Sequence, residues 1–243
     1  MREHRIYTQQ PLSPGVPITL EEGPSHHLLK VLRLKTGAEL TLFNGDGRDY
    51  EARISTAGKR TADIEILARG ELEPEPALTI SLGIGISKGE RMDFAIQKAV
   101  ELGVTEITPL ITEHCVVRLS GERMQKRCSH WRQVAISACE QSGRRYVPQL
   151  NDVMKVDDWI ESSAHLPGLL LDHRAQQSLG QLPCPGAGIR LLVGPEGGVS
   201  EAERSLALRS GFTGVRMGPR VLRTETAPLA AIAAIQTLWG DFS

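Results

Sequence analysis

The alternation of apolar and polar residues divides the chain into two parts. Up to about residue 72, short alternating stretches are separated by turns rich in Gly and Asn, a pattern typical of β-hairpins in a small barrel. The elements predicted in this part are strands at 40–43, 50–54 and 62–67 and one helix at 26–34. The acidic segment 73–77, which contains two prolines, predicts a linker. We therefore expect one domain over 1–72 and another over 78–243.

The second part alternates strands with helices. The predicted strands are 78–86, 107–111, 168–171, 189–193 and 214–217. The predicted helices run from a capping box at 87–90 to residue 103, over about 121–142, from a capping box at 200–203 to about 211, and from about Pro228 to Trp239. Because strands that alternate with helices pair in parallel, we expect an α/β domain with a parallel sheet covered on both faces.

Composition is that of an ordinary globular protein, with 40% hydrophobic and 23% charged residues. No stretch approaches the roughly 20 apolar residues of a membrane span, and residues 1–5 lack the apolar core of a signal peptide. We therefore expect a cytoplasmic protein that binds no membrane. The four cysteines have no spacing typical of metal ligands, so we expect buried free thiols at Cys115, Cys128, Cys139 and Cys184.

The net charge of −1 conceals two basic clusters. Between Arg118 and Arg145 there are seven Lys or Arg residues against two acids, and between Arg204 and Arg223 there are five arginines and no acid. A basic run is usually a solvated surface. Two such runs on one chain shift the balance toward a phosphate-binding face.

Two glycine-bearing segments adjoin predicted strands. The first is Gly-Pro-Glu-Gly-Gly at 194–198, and the second is Met-Gly-Pro-Arg at 217–220, followed by Arg-Thr-Glu-Thr-Ala at 223–227. Glycine permits positive φ and close approach of the main chain to a ligand, and open α/β sheets bind ligands at the carboxyl ends of their strands. The alternatives are tight turns without a ligand and a surface salt-bridge network of Arg220, Arg223 and Glu225.

Together with Leu-Leu-Asp-His-Arg-Ala at 170–175, these segments resemble the SPOUT methyltransferases. Within that superfamily, the chain is most similar to the bacterial 16S ribosomal RNA (uridine-N3) methyltransferases, the RsmE family. Further similar stretches are 31–33, 88–92, 97–98, 101–104 and 138–144. The resemblance covers essentially the whole chain, and the Gly-Pro-Glu-Gly-Gly and Arg-Thr-Glu-Thr-Ala pair is its most specific part.

The resemblance implies an N-terminal PUA-like RNA-binding β-barrel and a SPOUT-type parallel-sheet domain with a deep trefoil knot. It also implies a homodimer, S-adenosyl-L-methionine as cofactor, and small-subunit ribosomal RNA or the assembled small subunit as substrate. The cofactor-binding positions that it implies are Leu171, Gly194, Glu196, Gly198, Met217, Gly218 and Leu222. Its similar stretches and the first basic run provide the RNA-binding candidates Arg33, Arg91, Arg123, Arg127 and Arg144.

Methylation of uridine N3 requires the removal of one proton, since this imide is mostly protonated at neutral pH. Arg223 or Arg220 would hold a uracil oxygen or a phosphate. The proton acceptor stays open among Glu196, Glu225 and Glu140 of the partner subunit. Glu225 is equally suited to interact with a helix dipole. No metal is expected, because the sulfonium of the cofactor is already activated.

Three other functions compete with this one. A Rossmann-type methyltransferase or dehydrogenase is suggested by Gly83, Gly85 and Gly89, but their spacing departs from the dinucleotide fingerprint. A non-catalytic RNA-binding or ribosome-assembly protein would keep the same loops without binding cofactor. Methylation of a ribose 2′-hydroxyl or of another base is the third alternative.

Overall fold

The protein is described here from a computed structural model, which covers residues 4–116, 121–162 and 166–242. Its packing separates two units. The first holds the described residues up to Glu75 together with Cys139–Val147, and the second holds the described residues of 76–138 and those from Pro148 onward. Within the described residues, no helix is long and apolar enough to cross a membrane.

The first unit is built on a five-stranded sheet with the order β1-β3-β4-β5-β2. Its strands are β1 (Arg5–Tyr7), β2 (Ile18–Thr19), β3 (Glu39–Phe43), β4 (Tyr50–Ala57) and β5 (Ala62–Arg69). Strands β4 and β5 alternate between buried and exposed residues, and their inner faces share a core with Leu28 and Leu42. Register shifts between β4 and β5 allow the sheet to curl. The predicted N-terminal β domain is confirmed.

The helix predicted at 26–34 begins and ends earlier. Helix α1 (Glu22–His26) continues directly into a π-helical turn at His27–Val31. Arg33 then has a φ of 55°, in the left-handed region, which a helix cannot continue through. Strands β1 and β2 were not predicted, because three and two residues are too short to display a period.

The second unit contains a seven-stranded sheet in which every pairing is parallel. Its strands are β6 (Thr79–Gly85), β7 (Glu106–Ile111), β8 (Gln149–Leu150), β9 (Met154–Lys155), β10 (Gly168–Leu171), β11 (Gly188–Val193) and β12 (Phe212–Val215). Strands β12, β10, β11, β6 and β7 are consecutive neighbours, and β8 and β9 both pair with β7. All six residues of β11 are buried, as expected for a central strand covered on both faces.

Among the described residues, five α-helices accompany this sheet. They are α2 (Glu90–Glu101), α3 (Gly121–Ser142), α4 (Val156–Glu161), α5 (Glu201–Arg209) and α6 (Thr226–Trp239). The short α4 was not predicted. The last residues of α3, from Cys139, belong to the first unit. The α/β fold class is confirmed, whereas the trefoil knot stays a prediction, because strand order alone does not establish how the chain is threaded.

Several predicted details are wrong. The Ser87–Glu90 capping box does not form, because Gly89 occupies the cap position with a φ of 68° and no side chain caps α2. Helix α6 begins at Thr226 and not at Pro228, since the amides of Thr226 and Ala227 already donate to the Arg223 carbonyl. The last strand is shifted toward the N-terminus, because its pairing with β10 spans Phe212 to Val215.

The remaining sequence interpretations have mixed outcomes. The Ser200–Glu203 capping box is confirmed, with both of its hydrogen bonds present. Of the four cysteines, Cys128 and Cys139 are buried as expected, but Cys115 is half-buried and Cys184 is exposed. Gly83 and Gly85 lie inside β6, where an added Cβ would collide with Trp159 and Pro195. These glycines permit close packing, and the Rossmann interpretation of them is therefore wrong.

Candidate active site

Three loops meet at one edge of the parallel sheet. They follow β10, β11 and β12, which are neighbours in the order β12-β10-β11. Because these strands are parallel, their carboxyl ends and the loops that follow lie on the same side. The loops surround a cavity of about 530 Å³, which is within the usual range for small-molecule sites.

The cavity is lined by most of the residues that the sequence pointed to. Its lining includes the predicted cofactor and catalytic positions Leu171, Gly194, Glu196, Gly198, Met217, Arg220, Leu222, Arg223 and Glu225. Gly218 is not part of the lining, although it lies in the same loop as Met217 and Arg220. Segments that are distant in the sequence are thus brought together at one site.

The glycines shape the walls of the cavity. Gly198 has a φ of 69°, and a Cβ added there would meet nothing within 4 Å. At Gly194, an added Cβ would approach the Val199 amide nitrogen to 2.7 Å, because the loop folds back closely on itself. The Gly198 amide donates to the Pro195 carbonyl at 2.8 Å and closes this turn. Main chain at Gly198 therefore faces open space that a ligand can enter.

Glu196 is held by the first turn of α2 and the residues that precede it. Its Oε1 accepts hydrogen bonds from the Lys88 amide at 3.0 Å and from Arg91 Nη1 at 2.9 Å. Burial opposes its ionisation, but the backbone hydrogen bonds and Arg91 outweigh burial and lower the pKa of Glu196. Arg91, which we expected to contact RNA, lies in the cavity lining.

The Thr224 hydroxyl connects the glycine loops. The Thr224 hydroxyl donates to the Gly194 carbonyl at 2.9 Å and lies 3.3 Å from the Ser87 hydroxyl. Thr224 is buried and lines the cavity. The sequence interpretation assigned no role to Ser87 beyond capping, and its proximity to Thr224 depends on strand order that the sequence does not reveal.

Arg223 and Glu225 differ strongly in exposure. The Arg223 side chain is 79% exposed, whereas that of Glu225 is 15% exposed, with 4.0 Å between Arg223 Nη1 and Glu225 Oε1. Glu225 is the N-cap residue of α6 but makes no capping hydrogen bond. Its buried Oε2 has no hydrogen-bond partner among the described residues. The cavity therefore combines an accessible cation with a shielded carboxylate.

Comparison with known proteins identifies the family. A model described as an RNA methyltransferase domain matches residues 73–236, and one described as an RNA methyltransferase PUA domain matches residues 21–67. The chain belongs to the RNA methyltransferase domain family. A relative from Buchnera aphidicola of Schizaphis graminum, named ribosomal RNA small subunit methyltransferase E, is 36% identical over 98% of each chain.

Two solved structures resemble this family member over its full length. A methyltransferase from Legionella pneumophila with bound SAM has a TM-score of 0.95 and 39% identity. Ribosomal RNA small subunit methyltransferase E from Neisseria gonorrhoeae, bound to S-adenosyl methionine, has a TM-score of 0.91 and 42% identity. In both comparisons the alignment covers 100% of this chain and 100% of the solved chain.

The arginines predicted to bind RNA are distributed over both units of this family member. Arg33 is exposed and Arg144 half-buried in the first unit, while Arg123 is exposed and Arg127 half-buried on α3 in the second. Arg118 of the first basic run lies outside the described residues. Only Arg91 of the five candidates lines the cavity.

Glu140, the third candidate for the proton acceptor, lies in the first unit. Its Oε1 accepts a hydrogen bond from the Tyr7 amide at 3.0 Å. Burial raises its pKa, and the Tyr7 hydrogen bond and the charges of His27 and Arg5 only partly oppose this. Glu140 is not among the cavity-lining residues.

In the part of the chain that the structure describes, no group of three or more His, Cys, Asp or Glu residues could hold a metal ion.

Proposed function

We propose that this chain transfers a methyl group from S-adenosylmethionine to N3 of a uridine in small-subunit ribosomal RNA. The observation that carries the proposal is the convergence of three strand-end loops, with glycine main chain and Arg223, on one cavity. The names of the relatives support the ribosomal substrate, and solved relatives with bound donor support the cofactor. The resemblance of the motifs to uridine-N3 methyltransferases supports the choice of atom.

The cavity suits S-adenosylmethionine. A Cβ added at Gly198 or Gly218 would meet nothing within 4 Å, so main chain there is open to a ligand, and Gly194 allows the loop to fold back closely on itself. Leu171, Met217 and Leu222 supply apolar contacts of the kind that line most small-molecule sites. Glu196 is held ionised and would complement the positive charge of the donor. We assign these seven residues to cofactor binding.

Among the three carboxylates, Glu225 is the best candidate for the proton acceptor. Glu196 already accepts two hydrogen bonds, which lower its pKa and its basicity. The Glu140 carboxylate already accepts a hydrogen bond from the Tyr7 amide within the first unit. Glu225 lines the cavity and has a buried oxygen with no hydrogen-bond partner among the described residues. We therefore assign removal of the N3 proton to Glu225.

The bound donor supplies an activated methyl group, so the chain needs only to orient the uridine and manage one charge and one proton. We assign to Arg223 the stabilisation of the negative charge that develops on the uracil ring, because its guanidinium is accessible within the cavity. Arg220, also exposed in the lining, would hold a neighbouring phosphate.

Product analysis tests the reaction. Purified protein, S-adenosylmethionine and either naked ribosomal RNA or intact small subunits from cells lacking this gene are incubated, and the nucleosides are mapped by mass spectrometry. We expect one new N3-methyluridine. A ribose methyl or another methylated base would contradict the assignment of N3. Titration calorimetry with the donor addresses the assembly-factor alternative, which predicts no saturable binding.

A pair of isosteric variants tests the proton acceptor. Glu225→Gln should lower kcat by about 100-fold, within the usual contribution of a general base, and remove the dependence of kcat on the ionisation of one group. Glu196→Gln should act mainly on the affinity for donor and retain that pH dependence. A Glu225→Gln enzyme with the wild-type pH profile would exclude Glu225 as the base.

We further propose that residues 1–72 form an RNA-binding domain and that residues 78–243 carry out the transfer. The proposed RNA contacts, which lie in both parts of the chain, are Arg33, Arg91, Arg123, Arg127 and Arg144. A ribosomal substrate supports a cytoplasmic location for the reaction.

We also propose a homodimer. Helix α6 is almost entirely apolar and yet leaves Leu238 half exposed, and Phe94 and Phe242 are half exposed as well. Sedimentation should give twice the chain mass, and Leu238→Glu should favour the monomer.

A further inference from the structure

Asp172 is an almost fully buried acid in the cavity wall. It directly follows β10, and its side chain is 3% exposed. Its Oδ1 accepts from the Arg174 amide at 3.0 Å and from Arg174 Nε at 3.1 Å, and its Oδ2 accepts from Arg204 Nε at 2.6 Å. Both arginines also reach Glu201, at 3.0 Å and 3.3 Å. Asp172 is thus the buried centre of a four-residue ion network.

The network connects the bases of all three cavity loops. Arg204 and Glu201 lie in the first turns of α5, which begins where the 194–200 loop ends. Arg174 belongs to the loop after β10, and the Asp172 amide donates to the Val215 carbonyl at the end of β12. Burial disfavours the charged form, but Arg204 and Arg174 outweigh burial and lower the pKa of Asp172, so it is ionised at neutral pH.

We infer that Asp172 is a positioning residue that sets the separation of the 171–175 and 194–200 loops and thereby the affinity of the cavity for the methyl donor. This inference rests on the proposed function. Both oxygens of Asp172 already accept hydrogen bonds from arginines and its side chain is 3% exposed, so we assign it no direct contact with the donor. The network therefore acts through the main chain of Leu171 and of residues 194–198, which line the cavity.

Asp172→Asn is the sharpest test, because it preserves shape. One of the two acceptor oxygens becomes an amide group that cannot accept, so either Arg174 or Arg204 loses its bond. We expect affinity for S-adenosylmethionine, measured by calorimetry, to fall by about tenfold, since small displacements of a binding wall are costly. KM for the donor should rise similarly, while kcat at saturating donor stays within about twofold of wild type.

Glu201→Gln is the matched control. Glu201 contacts the same two arginines, but it is 67% exposed and outside the cavity lining. An exposed ion pair contributes little, so donor affinity should remain within about twofold of wild type. Arg204→Gln removes the other side of the buried bond and should weaken donor binding as Asp172→Asn does, with no additional loss in the double variant.

The outcomes separate the inference from the function on which it rests. Wild-type affinity in Asp172→Asn, or a loss of kcat without a change in KM, would overturn the positioning role. If Asp172→Asn does not fold, Arg204→Gln answers the question with the same readouts, and an unchanged donor affinity there is equally decisive against it. Failure of the wild-type protein to bind donor would instead overturn the proposed function.

Discussion

At the scale of single residues, Arg223 combines high exposure with a place inside the cavity. Arg223→Ala should change the free energy of unfolding by less than about 0.5 kcal/mol, because a mostly exposed side chain contributes little to packing. Methyl transfer should fall by at least about 100-fold, as when one charge-stabilising donor is removed from an active site. Donor affinity by calorimetry should stay unchanged.

Arg209→Ala is a suitable control for this variant. Arg209 is exposed at the end of α5 and is not among the cavity-lining residues. Its removal should alter neither stability nor turnover measurably. Full activity of Arg223→Ala would remove Arg223 from the mechanism, and an equal loss in both variants would indicate a general effect of charge on RNA binding.

Gly198 tests whether main chain at the cavity wall contacts the donor. An alanine would have to adopt a φ of 69°, which should destabilise the protein by about 1 kcal/mol, and its methyl would project into open space. Gly186→Ala carries the same strain, at a φ of 76°, but lies outside the cavity lining. Both variants should lower Tm similarly, and only Gly198→Ala should weaken donor binding in calorimetry. Equal donor affinities would contradict this role.

Glu140 should make stability depend on pH. Burial raises its pKa above the ordinary value of 4.5, so between these two values the folded protein binds more protons than the unfolded chain. The free energy of unfolding therefore increases as pH falls through this window and is lower above it. Glu140→Gln keeps an acceptor for the Tyr7 amide without the charge.

We expect Glu140→Gln to melt at a higher temperature than wild type at pH 7, with the difference closing as pH approaches 4.5. Calorimetric melting curves at several pH values measure this. If Glu140→Gln is less stable than wild type at pH 7, the ionised Glu140 carboxylate stabilises the folded protein and the prediction is wrong.

At the scale of elements, the capping box of α5 fixes the end of the cavity loop. The Ser200 hydroxyl accepts from the Glu203 amide at 3.2 Å, and Glu203 Oε2 accepts from the Ser200 amide at 2.7 Å. Ser200→Ala should cost about 1 kcal/mol in denaturant unfolding, the usual value for loss of an N-cap. Ser205→Ala, in the middle of α5, should be neutral, because alanine favours helix. Equal effects would contradict the capping role.

The long elements were predictable from the sequence, and the short ones were not. Helix α3 and strand β11 carry enough residues to display a period or a continuous apolar run, whereas β8 has two residues and α4 six. The capping interpretation of Ser87 failed because Gly89 occupies the cap position, and the Ser87 hydroxyl lies next to Thr224 on a distant loop. Local signals cannot anticipate such tertiary partners.

The sequence predicted which segments form the site but not how these segments are arranged in space. Motif resemblance indicated the glycine loops and Arg223, and these loops do meet at one cavity. The position of β10 between β11 and β12 determines that its loop lies between the other two. Strand order is not encoded in any local pattern, so the network around Asp172 and the tether from Arg91 to Glu196 could not be foreseen.

At the scale of the whole molecule, the first unit is discontinuous in sequence. Its sheet is complete by Arg69, yet Cys139–Val147 also belong to it. Asp49 accepts from Arg5 Nη2 at 2.6 Å and from Arg145 Nε at 2.9 Å, and Arg5 also donates to the Cys139 carbonyl. The RNA methyltransferase chain must therefore extend past residue 139 before this unit can make all of its contacts.

Asp49→Asn should consequently loosen the first unit. The variant leaves the nearly buried Arg5 guanidinium without its counter-charge, at a cost of about 2 kcal/mol. Native-state hydrogen exchange should show lower protection for amides of β3, β4 and β5, with β10 and β11 unchanged, because local stability follows cooperative units. Asp152→Asn, which removes a 91% exposed partner of Arg132, should change neither region. Uniform loss of protection in Asp49→Asn would mean that the two units unfold together, and unchanged protection would mean that Cys139–Val147 add little to the first.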